Sequence, residues 1–354
     1  LGLRSGAVLL RVTNFGTEHA GGGTYERPFL MLWVFGADGL VTRMEQFDVG
    51  HEAEALARFD ELAAELVPRS IRRQVRPNAA TANRARLDAA IAARDAEAIA
   101  TLFADDLESV EHTTGLVFDR EGALFSCRAL LGARDPAHRH EPLATLGDAL
   151  ALCRVAWSAS GFAGGKFDVG AYESEGIDLI EVDVQGRCQR RENFAVDRLG
   201  DAVTRLYECY ADLLPAGPAR ARAAATARAA AAMLGPVDLD RYATAFATDI
   251  ESVDHRILGT WSARGAEAQL RNWRSLLEVA GDVAMREDDI LGLQSNAFLV
   301  RRMHVGTDRV GGGAYERSFL ALWIFGTDGL VTRSELFDTD RDAEALARFD
   351  ELTT

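Results

Sequence analysis

The spacing of apolar residues in the last third of the chain predicts helices and strands in a fixed order. Four apolar residues recur on one helix face and predict a helix over 263–280: Leu270, Trp273, Leu276 and Leu277. The other expected helices cover 219–234, 238–247 and 340–352, and the expected strands cover 249–255, 283–292, 297–305, 313–325 and 329–338. Helices collected on one face of a curved antiparallel sheet make an α+β architecture. Such a cone-shaped sheet encloses a cavity of the kind that small ligands occupy.

An internal repeat runs through the chain. The segment LGLRSGAVLLRV at residue 1 returns as LGLQSNAFLVRR at residue 291, an offset of 290 that holds without a gap to Leu62. A more diverged copy lies between these two, because ATLFADDLESVEH (100–112) matches ATAFATDIESVDH (243–255) at an offset of 143. The same cone-shaped unit is therefore expected in tandem.

The repeat predicts the domain boundaries. We expect the C-terminal half of a repeat over 1–66, a full middle repeat over 81–214 and a full last repeat over 219–354. An Arg-rich linker (67–80) and a Pro/Gly linker (215–218) separate them. The half repeat suggests that the chain begins inside a repeat of a larger bacterial protein.

The strand expected over 313–325 is apolar on both faces. Alternation puts Phe319 and Trp323 on one face and Leu320 and Leu322 on the other. Helices would cover one face, so we expect a second domain to pack on the other, sheet to sheet. This predicts an intrachain pseudo-dimer of the full repeats, or a homo-oligomer formed through the sheet faces. The half repeat is expected to have no helix of its own and to need cover from another domain.

Composition and charge narrow the class of protein. Hydrophobic residues make up 48% and charged residues 26%, which is typical of a globular chain, and the net charge of −15 argues against a nucleic-acid surface. No apolar run is long enough for a membrane helix, so we expect a soluble, cytoplasmic protein. The four cysteines have no CxxC spacing, and the GGG segments at 21–23 and 311–313 lack a GK[ST] ending. Neither a metal nor an organic cofactor is therefore expected.

The last repeat resembles a known family. Its order of elements, with FATDIESVDHRILG (246–259) followed by a helix and the closing WIFGTDGLVTRSELFD (323–338), resembles the SnoaL-like group of the nuclear transport factor 2-like superfamily. The resemblance covers both full repeats and the strands of the half repeat. It implies the cone-shaped α+β fold. It does not imply one function, because this fold hosts isomerases, cyclases, epoxide hydrolases, transport factors and catalytically silent modules.

The resemblance implies candidate bases at the end of the first strand of each full repeat. In ketosteroid isomerase-like relatives the base is an Asp five residues after an Asp of the preceding turn, and this count falls on Asp254 and on Glu111. The adjacent His255 and His112 are alternative bases, because imidazole titrates near neutral pH. A carboxylate here could remove a proton alpha to a carbonyl if burial raised its pKa. The alternative is that these side chains end a strand and meet solvent.

The oxyanion hole of those relatives, a protonated Asp with a Tyr, is largely missing. The Asp position falls on Ala321 in the last repeat and keeps an acid only in the middle repeat, at Asp178. The Tyr position falls on Ala230 and Leu87. Without these donors an enolate would lack preorganised stabilisation, so steroid isomerisation is not expected. Asp178 either faces inward, where it needs a partner, or lies at an exposed edge.

Recurring polar and aromatic side chains are candidates for ligand contact. They are Arg301, Tyr315, Trp273 and Trp323 in the last repeat, and Arg154 and Tyr172 in the middle repeat. The arginines could instead pair across strands with Glu335 and Glu192, and the tryptophans could be core. The complete Asp–Arg–Asp arrangement of limonene epoxide hydrolase-like relatives is not found in the sequence.

Two hypotheses for function stay open. The first is a non-catalytic module that binds a small apolar ligand or assembles with a partner domain. The second is a cofactor-independent acid–base enzyme of the cyclase, isomerase or epoxide hydrolase type. In that case Asp254, His255, Glu111 or His112 would be the base, and the recurring Arg and Tyr residues would orient the substrate.

Overall fold

Alternating apolar residues form a similar sheet in each of the three copies. The computed structural model describes residues 2–4, 7–17, 24–36, 40–65, 75–162 and 170–354, so most of the predicted Arg-rich linker lies outside the described residues. The chain divides into two compact units, Leu1–Arg72 and Arg73–Thr354. The finer domain boundaries stay a prediction.

The first unit is an antiparallel sheet with one helix. Its elements are β1 (Gly2–Arg4), β2 (Ala7–Thr17), β3 (Thr24–Phe35), β4 (Val41–Asp48) and α1 (Glu52–Glu65), and the strands pair in chain order. Phe59 and Leu62 of α1 pack against Leu9 and Leu30 of the sheet. The expectation that this sheet has no helix of its own is therefore wrong, because the AEALARFDEL segment forms α1 and covers one face.

The middle repeat begins at a capped helix. The Asn78 side chain accepts from the backbone N–H of Thr81 (3.0 Å). The helices are α2 (Ala79–Ala92), α3 (Ala96–Thr101), α4 (Arg120–Leu131) and α5 (Leu199–Leu213). The strands are β5 (Phe103–Glu111), β6 (Leu116–Phe118), β7 (Ala133–Arg134), β8 (Ala137–Leu146), β9 (Leu150–Ala159), β10 (Gly161–Phe162), β11 (Tyr172–Val182) and β12 (Cys188–Phe194). Its main sheet has the order β6-β5-β12-β11-β9-β8, with β5 and β12 parallel.

The last repeat follows the same plan. Its helices are α6 (Pro218–Leu234), α7 (Leu239–Ala245), α8 (Ala266–Val279) and α9 (Asp342–Thr353). Its strands are β13 (Phe246–Asp254), β14 (Ala263–Arg264), β15 (Ala280–Gln294), β16 (Ala297–Asp308), β17 (Ala314–Phe325) and β18 (Val331–Phe337). The sheet order is β14-β13-β18-β17-β16-β15, which matches the middle repeat strand for strand. The predicted α+β class, with helices on a curved sheet, is confirmed.

The start of α9 differs from its prediction. The helix begins at Asp342 and not at residue 340, and Arg341 occupies the N-cap position without a side-chain cap bond. Asp338 instead accepts a hydrogen bond from the backbone N–H of Ile257 (3.3 Å), because the chain turns back toward the end of the first strand before α9 begins.

The middle and last repeats share one hydrophobic core. Leu206 and Tyr207 of α5 belong to the same buried cluster as Met233 of α6 and Phe298 of β16. The Tyr207 hydroxyl shares its proton between the backbone carbonyls of Gln294 (2.7 Å) and Ala297 (3.0 Å). The two repeats are therefore joined inside one compact unit through α5, α6 and the contact between β8 and β15.

The outer face of the last sheet is covered by its own repeat. Phe319 and Trp323 line a cavity on the side of α6, α7 and α8, so alternation puts Leu320 and Leu322 on the opposite face. Both leucines are fully buried, and α9 packs against β15, β16 and β17 there. A second sheet does not provide the cover on this face, because a helix that follows the sheet in sequence provides it. A homo-oligomer through sheet faces stays a prediction.

Two further observations concern membrane-spanning helices and the cysteines. Within the described ranges, no helix is both long enough and apolar enough to cross a membrane. All four cysteines are free; Cys153, Cys188 and Cys209 are buried, and Cys127 is partly exposed.

Candidate functional site

The last repeat encloses an apolar cavity of about 350 Å³ between its sheet and α6, α7 and α8. Aromatic side chains form much of its wall. Trp273 of α8 lies against Trp261 (ring centroids 5.2 Å apart) and Tyr242 (5.0 Å). Phe319 and Trp323 of β17 line the sheet side. The predicted ligand-contact residues Trp273, Trp323 and Tyr315 all reach this cavity.

Three arginines stand around the same cavity. Arg302 is buried and donates to Glu287 Oε1 from Nε (2.8 Å), and Arg256 is paired with Asp254 (2.7 Å). Arg317 lies at the exposed rim. His304 sits among them, with its Nε2 3.2 Å from the Tyr315 hydroxyl. Burial and the three positive charges lower the pKa of His304 to about 4, so this imidazole is neutral at pH 7.

Asp254 is held in an ion pair and is not among the residues that line the cavity. Both carboxylate oxygens accept from the Arg256 guanidinium, at 2.7 and 2.9 Å, and Oδ2 also accepts from the Trp261 backbone N–H (3.1 Å). Burial alone would raise the pKa of Asp254, but the hydrogen bonds and charge of Arg256 outweigh it and lower the pKa. This is the opposite of the raised pKa expected of a general base, because the neighbouring arginine neutralises the carboxylate.

His255 does not line this cavity, and His112 does not line the corresponding cavity of the middle repeat, which is described below. The His255 Nε2 is 2.8 Å from Glu335 Oε2, and the ring stacks on Phe337. Glu335 is fully buried and accepts from Arg348 of α9 (3.1 Å). Equivalent contacts recur around Glu192, which lies 2.9 Å from His112 Nε2 and accepts from Arg205 of α5 (2.9 Å). The first unit keeps the carboxylate–arginine part, Glu45 with Arg58 (3.2 Å). These histidines therefore belong to a repeated contact that fastens each C-terminal helix to its sheet.

Arg301 and Arg154 lie outside the cavity linings as well. In the strand register Arg301 stands opposite Asp289 and Arg154 opposite Glu141, a cross-strand arrangement. Neither arginine contacts the glutamate that the sequence analysis paired with it, because those glutamates bind arginines of the C-terminal helices. Tyr172, in contrast, lines the cavity of the middle repeat, as Tyr315 does in the last repeat.

The middle repeat encloses a cavity of about 460 Å³ whose largely apolar wall includes a cluster of charged and polar side chains. Asp178 is buried on β11 and accepts from Arg191 Nε (2.8 Å) and Asn193 Nδ2 (2.8 Å). Arg191 also donates to Glu111 Oε1 from Nη1 (2.7 Å). Burial raises the pKa of Asp178, but the charge of Arg191 and the contacts with His140 outweigh this and hold the pKa well below its usual range. Glu111, Arg191 and Asp178 thus form the carboxylate–arginine–carboxylate arrangement that was not found in the sequence.

A second polar group adjoins Asp178. Asp88 of α2 accepts from the Nδ1 atoms of His138 (2.8 Å) and His140 (2.7 Å) and from the His140 backbone N–H (2.8 Å). The other ring nitrogen of His140 is buried, has no hydrogen-bond partner among the described residues and lies 3.6 Å from Asp178 Oδ2. Burial opposes ionisation of Asp88, but the two imidazoles hold its pKa well below the usual range. His140 therefore lies between the half-buried Asp88 and the buried Asp178, and both His140 and Asp178 line the cavity.

Asp88, His138 and His140 also have the donor types that a divalent transition metal prefers. Their ligand atoms lie within 4.8 Å of one another, and they are the only such group of three found among the described residues. Each of the three atoms is engaged in the hydrogen bonds just described, so the group is complete as an acid–base cluster.

Sequence reasoning missed Arg191, His140 and Asp88. The signal for the histidines was present, because His138 and His140 are two apart in a strand and must share a face. The contact with Asp88 joins residues 50 and 52 positions apart and depends on how α2 packs on β8.

The last repeat lacks this particular set of polar side chains. The strand registers align His138 with Met285, His140 with Glu287, Asp178 with Ala321 and Arg191 with Ser334. The two cavities therefore share a frame but differ in chemistry.

No protein-family model and no curated protein matches the chain. Similar solved structures include a protein with a ketosteroid isomerase-like fold from Catenulispora acidiphila, in complex with trimethylamine (16% identity, 32% of this chain and 83% of that chain, TM-score 0.27). A Mycobacterium tuberculosis protein in complex with estradiol-17β-hemisuccinate is another (17%, 33% and 93%, 0.28). A third is an NTF2-like protein from Exiguobacterium (16%, 33% and 97%, 0.26).

Proposed function

We propose that the chain binds small apolar molecules in two cavities, one in each full repeat. The observation that carries this proposal is the aromatic cavity of the last repeat, which Trp261, Trp273, Phe319 and Trp323 line. Its volume of about 350 Å³ and that of the middle cavity, about 460 Å³, lie in the range of small-molecule sites. Assembly through the sheet faces has less support, because α9 covers the outer face of the last sheet.

Substitutions that fill each cavity test this proposal. The measurement is the binding of a neutral dye, Nile red, to the full chain. Leu276→Trp fills the last cavity and Ala123→Trp the middle one, since both side chains line their cavities and are only partly buried. We expect the stoichiometry of dye binding to fall from two to one in each variant and to zero in the double variant. Leu258→Trp, at an exposed position outside the lining, is the matched control. Dye binding that survives the double substitution would overturn the proposal.

A second candidate function is cofactor-independent acid–base chemistry in the middle cavity. His140 favours it, because its buried ring nitrogen without a hydrogen-bond partner among the described residues lies at the cavity wall, 3.6 Å from the Asp178 carboxylate, which would stabilise the protonated imidazole. A panel of enolisable ketones and epoxides tests this candidate. Turnover should fall by about 100-fold or more in Asp178→Asn and His140→Gln, the usual scale for a general acid–base group. Asp254→Asn in the last repeat should keep full activity, and equal loss in all three variants would contradict the assignment.

A further inference from the structure

The middle cavity contains a buried cation that none of its carboxylates neutralises. Arg84 projects from α2, is 2% exposed and lines the cavity. Its Nε donates to the adjacent Asn83 Oδ1 (3.1 Å), and Nη2 contacts the same oxygen. Among the described residues no carboxylate lies within ion-pair distance of this guanidinium, and Nη1 has no hydrogen-bond partner. An arginine is rarely buried in this way without a counter-charge.

The orientation of Arg84 is fixed by its surroundings. The Asn83 amide nitrogen donates to the backbone carbonyls of Leu102 (3.0 Å) and Gly186 (2.8 Å), which leaves the amide oxygen turned toward Arg84. The guanidinium carbon also lies 5.9 Å from the centre of the Phe103 ring. One edge of the guanidinium is thus anchored by a neutral amide, and Nη1 remains available for a ligand.

The carboxylates of this cavity and of its wall have partners other than Arg84, and two of them share Arg191. Asp178 and Glu111 both bind Arg191, and Asp88 binds the two histidines. Arg84 is therefore the cation of this cavity that could pair with an anionic group of a ligand. Burial of a charge is costly unless an opposite charge accompanies it, and an arginine fork matches the geometry of a carboxylate.

From these contacts we propose that Arg84 anchors the carboxylate of an apolar monocarboxylic acid in the middle cavity. The apolar body of that ligand would lie against the remaining wall, which includes Leu87, Ile91, Leu107 and Phe118. The inference rests on the proposed function, because it names the ligand class of one of the two cavities. The last repeat has Ala227 at the position of Arg84, so the same preference is not expected there.

The experiment compares decanoate with decan-1-ol at pH 8, where decanoate is ionised and the two probes have the same chain length. The protein is the full chain carrying Leu276→Trp, so that only the middle cavity is open. By isothermal titration we expect decanoate to bind about 10-fold or more tightly than decanol, the scale of one charge-assisted hydrogen bond. Arg84→Met should remove this preference, lowering decanoate affinity about 10-fold or more and leaving decanol within about 3-fold.

The outcomes separate this inference from the function on which it rests. Equal affinity for the two probes before any change at Arg84 would overturn the anchor and leave ligand binding intact. If neither probe binds, the proposed function fails for this cavity and the anchor fails with it. If Arg84→Met does not fold, Arg84→Lys retains the charge without the fork, and the anchor then requires decanoate to weaken more than decanol.

Discussion

Residue differences at equivalent positions give the two cavities different polar side chains. Where the middle repeat has His140, the last repeat has Glu287, and this change supplies a buried partner for Arg302. Where the middle repeat has Asp178, the last repeat has Ala321, so the sheet wall loses its carboxylate. The polar side chains of the middle cavity are therefore mainly carboxylates, histidines and arginines, whereas those around the last cavity are mainly arginines with His304 and Tyr315.

The lowered pKa of His304 predicts how the free energy of unfolding depends on pH. Its pKa is about 4 in the folded chain, below that of a free imidazole, so the unfolded chain binds the extra proton first as pH falls. The stability that neutral His304 allows is present above about pH 6.5 and is lost between about pH 6.5 and pH 4. We expect His304→Gln to reduce that acid-side loss by on the order of 1 kcal/mol, as measured by urea unfolding at pH 7 and pH 4. Identical pH profiles for the two proteins would contradict the lowered pKa.

Helix α5 has two functions at the scale of elements. It covers the outer side of its own sheet and belongs to the core of the next repeat, where Tyr207 reaches the β15–β16 turn. An equivalent helix, α9, ends the last repeat, and its Thr353 hydroxyl accepts from the side chain of Gln294 (3.0 Å). The same element therefore takes on a linking role only where another repeat follows it.

Tyr207→Phe tests the link between the repeats. The substitution removes the hydroxyl that bonds the carbonyls of Gln294 and Ala297 and leaves the ring in the core. We expect a loss of about 1–2 kcal/mol in unfolding free energy and faster amide exchange at residues 294–297. Tyr210→Phe, in the same helix and without a hydrogen bond among the described residues, is the control and should be neutral. A neutral Tyr207→Phe would show that apolar packing alone joins the repeats.

The elements were more predictable than the site. Periodicity located α6, α7 and the four closing strands because each has a regular apolar face. The second cover of the sheet was misassigned, although the repeated AEALARFDEL segment already marked the helix that provides it. Asp254 matched a family position, but only the fold shows that Arg256, two residues on, neutralises it. Arg191 and Asp88 act through contacts between distant segments, and local spacing has no signal for these.

At the scale of the whole molecule, two compact units predict two unfolding transitions. Calorimetry of the full chain should resolve one for Leu1–Arg72 and one for Arg73–Thr354, because the middle and last repeats share a core. Leu206→Ala should destabilise only the second by about 2–5 kcal/mol, since this side chain is fully buried between the repeats. Leu30→Ala in the first sheet should shift only the other transition. Separate transitions for the middle and last repeats would contradict the shared core.

A glutamate–arginine contact attaches each C-terminal helix to its sheet. The side chains that stabilise this attachment differ from those that shape the cavities. The pairs are Glu45 with Arg58, Glu192 with Arg205 and Glu335 with Arg348. The pairs of the two full repeats are not among the residues that line the last and middle cavities. Substitutions of cavity side chains should therefore leave these helix–sheet contacts intact. Libraries that vary only cavity positions, with these three pairs left unchanged, should therefore retain a high proportion of folded members while ligand preference changes.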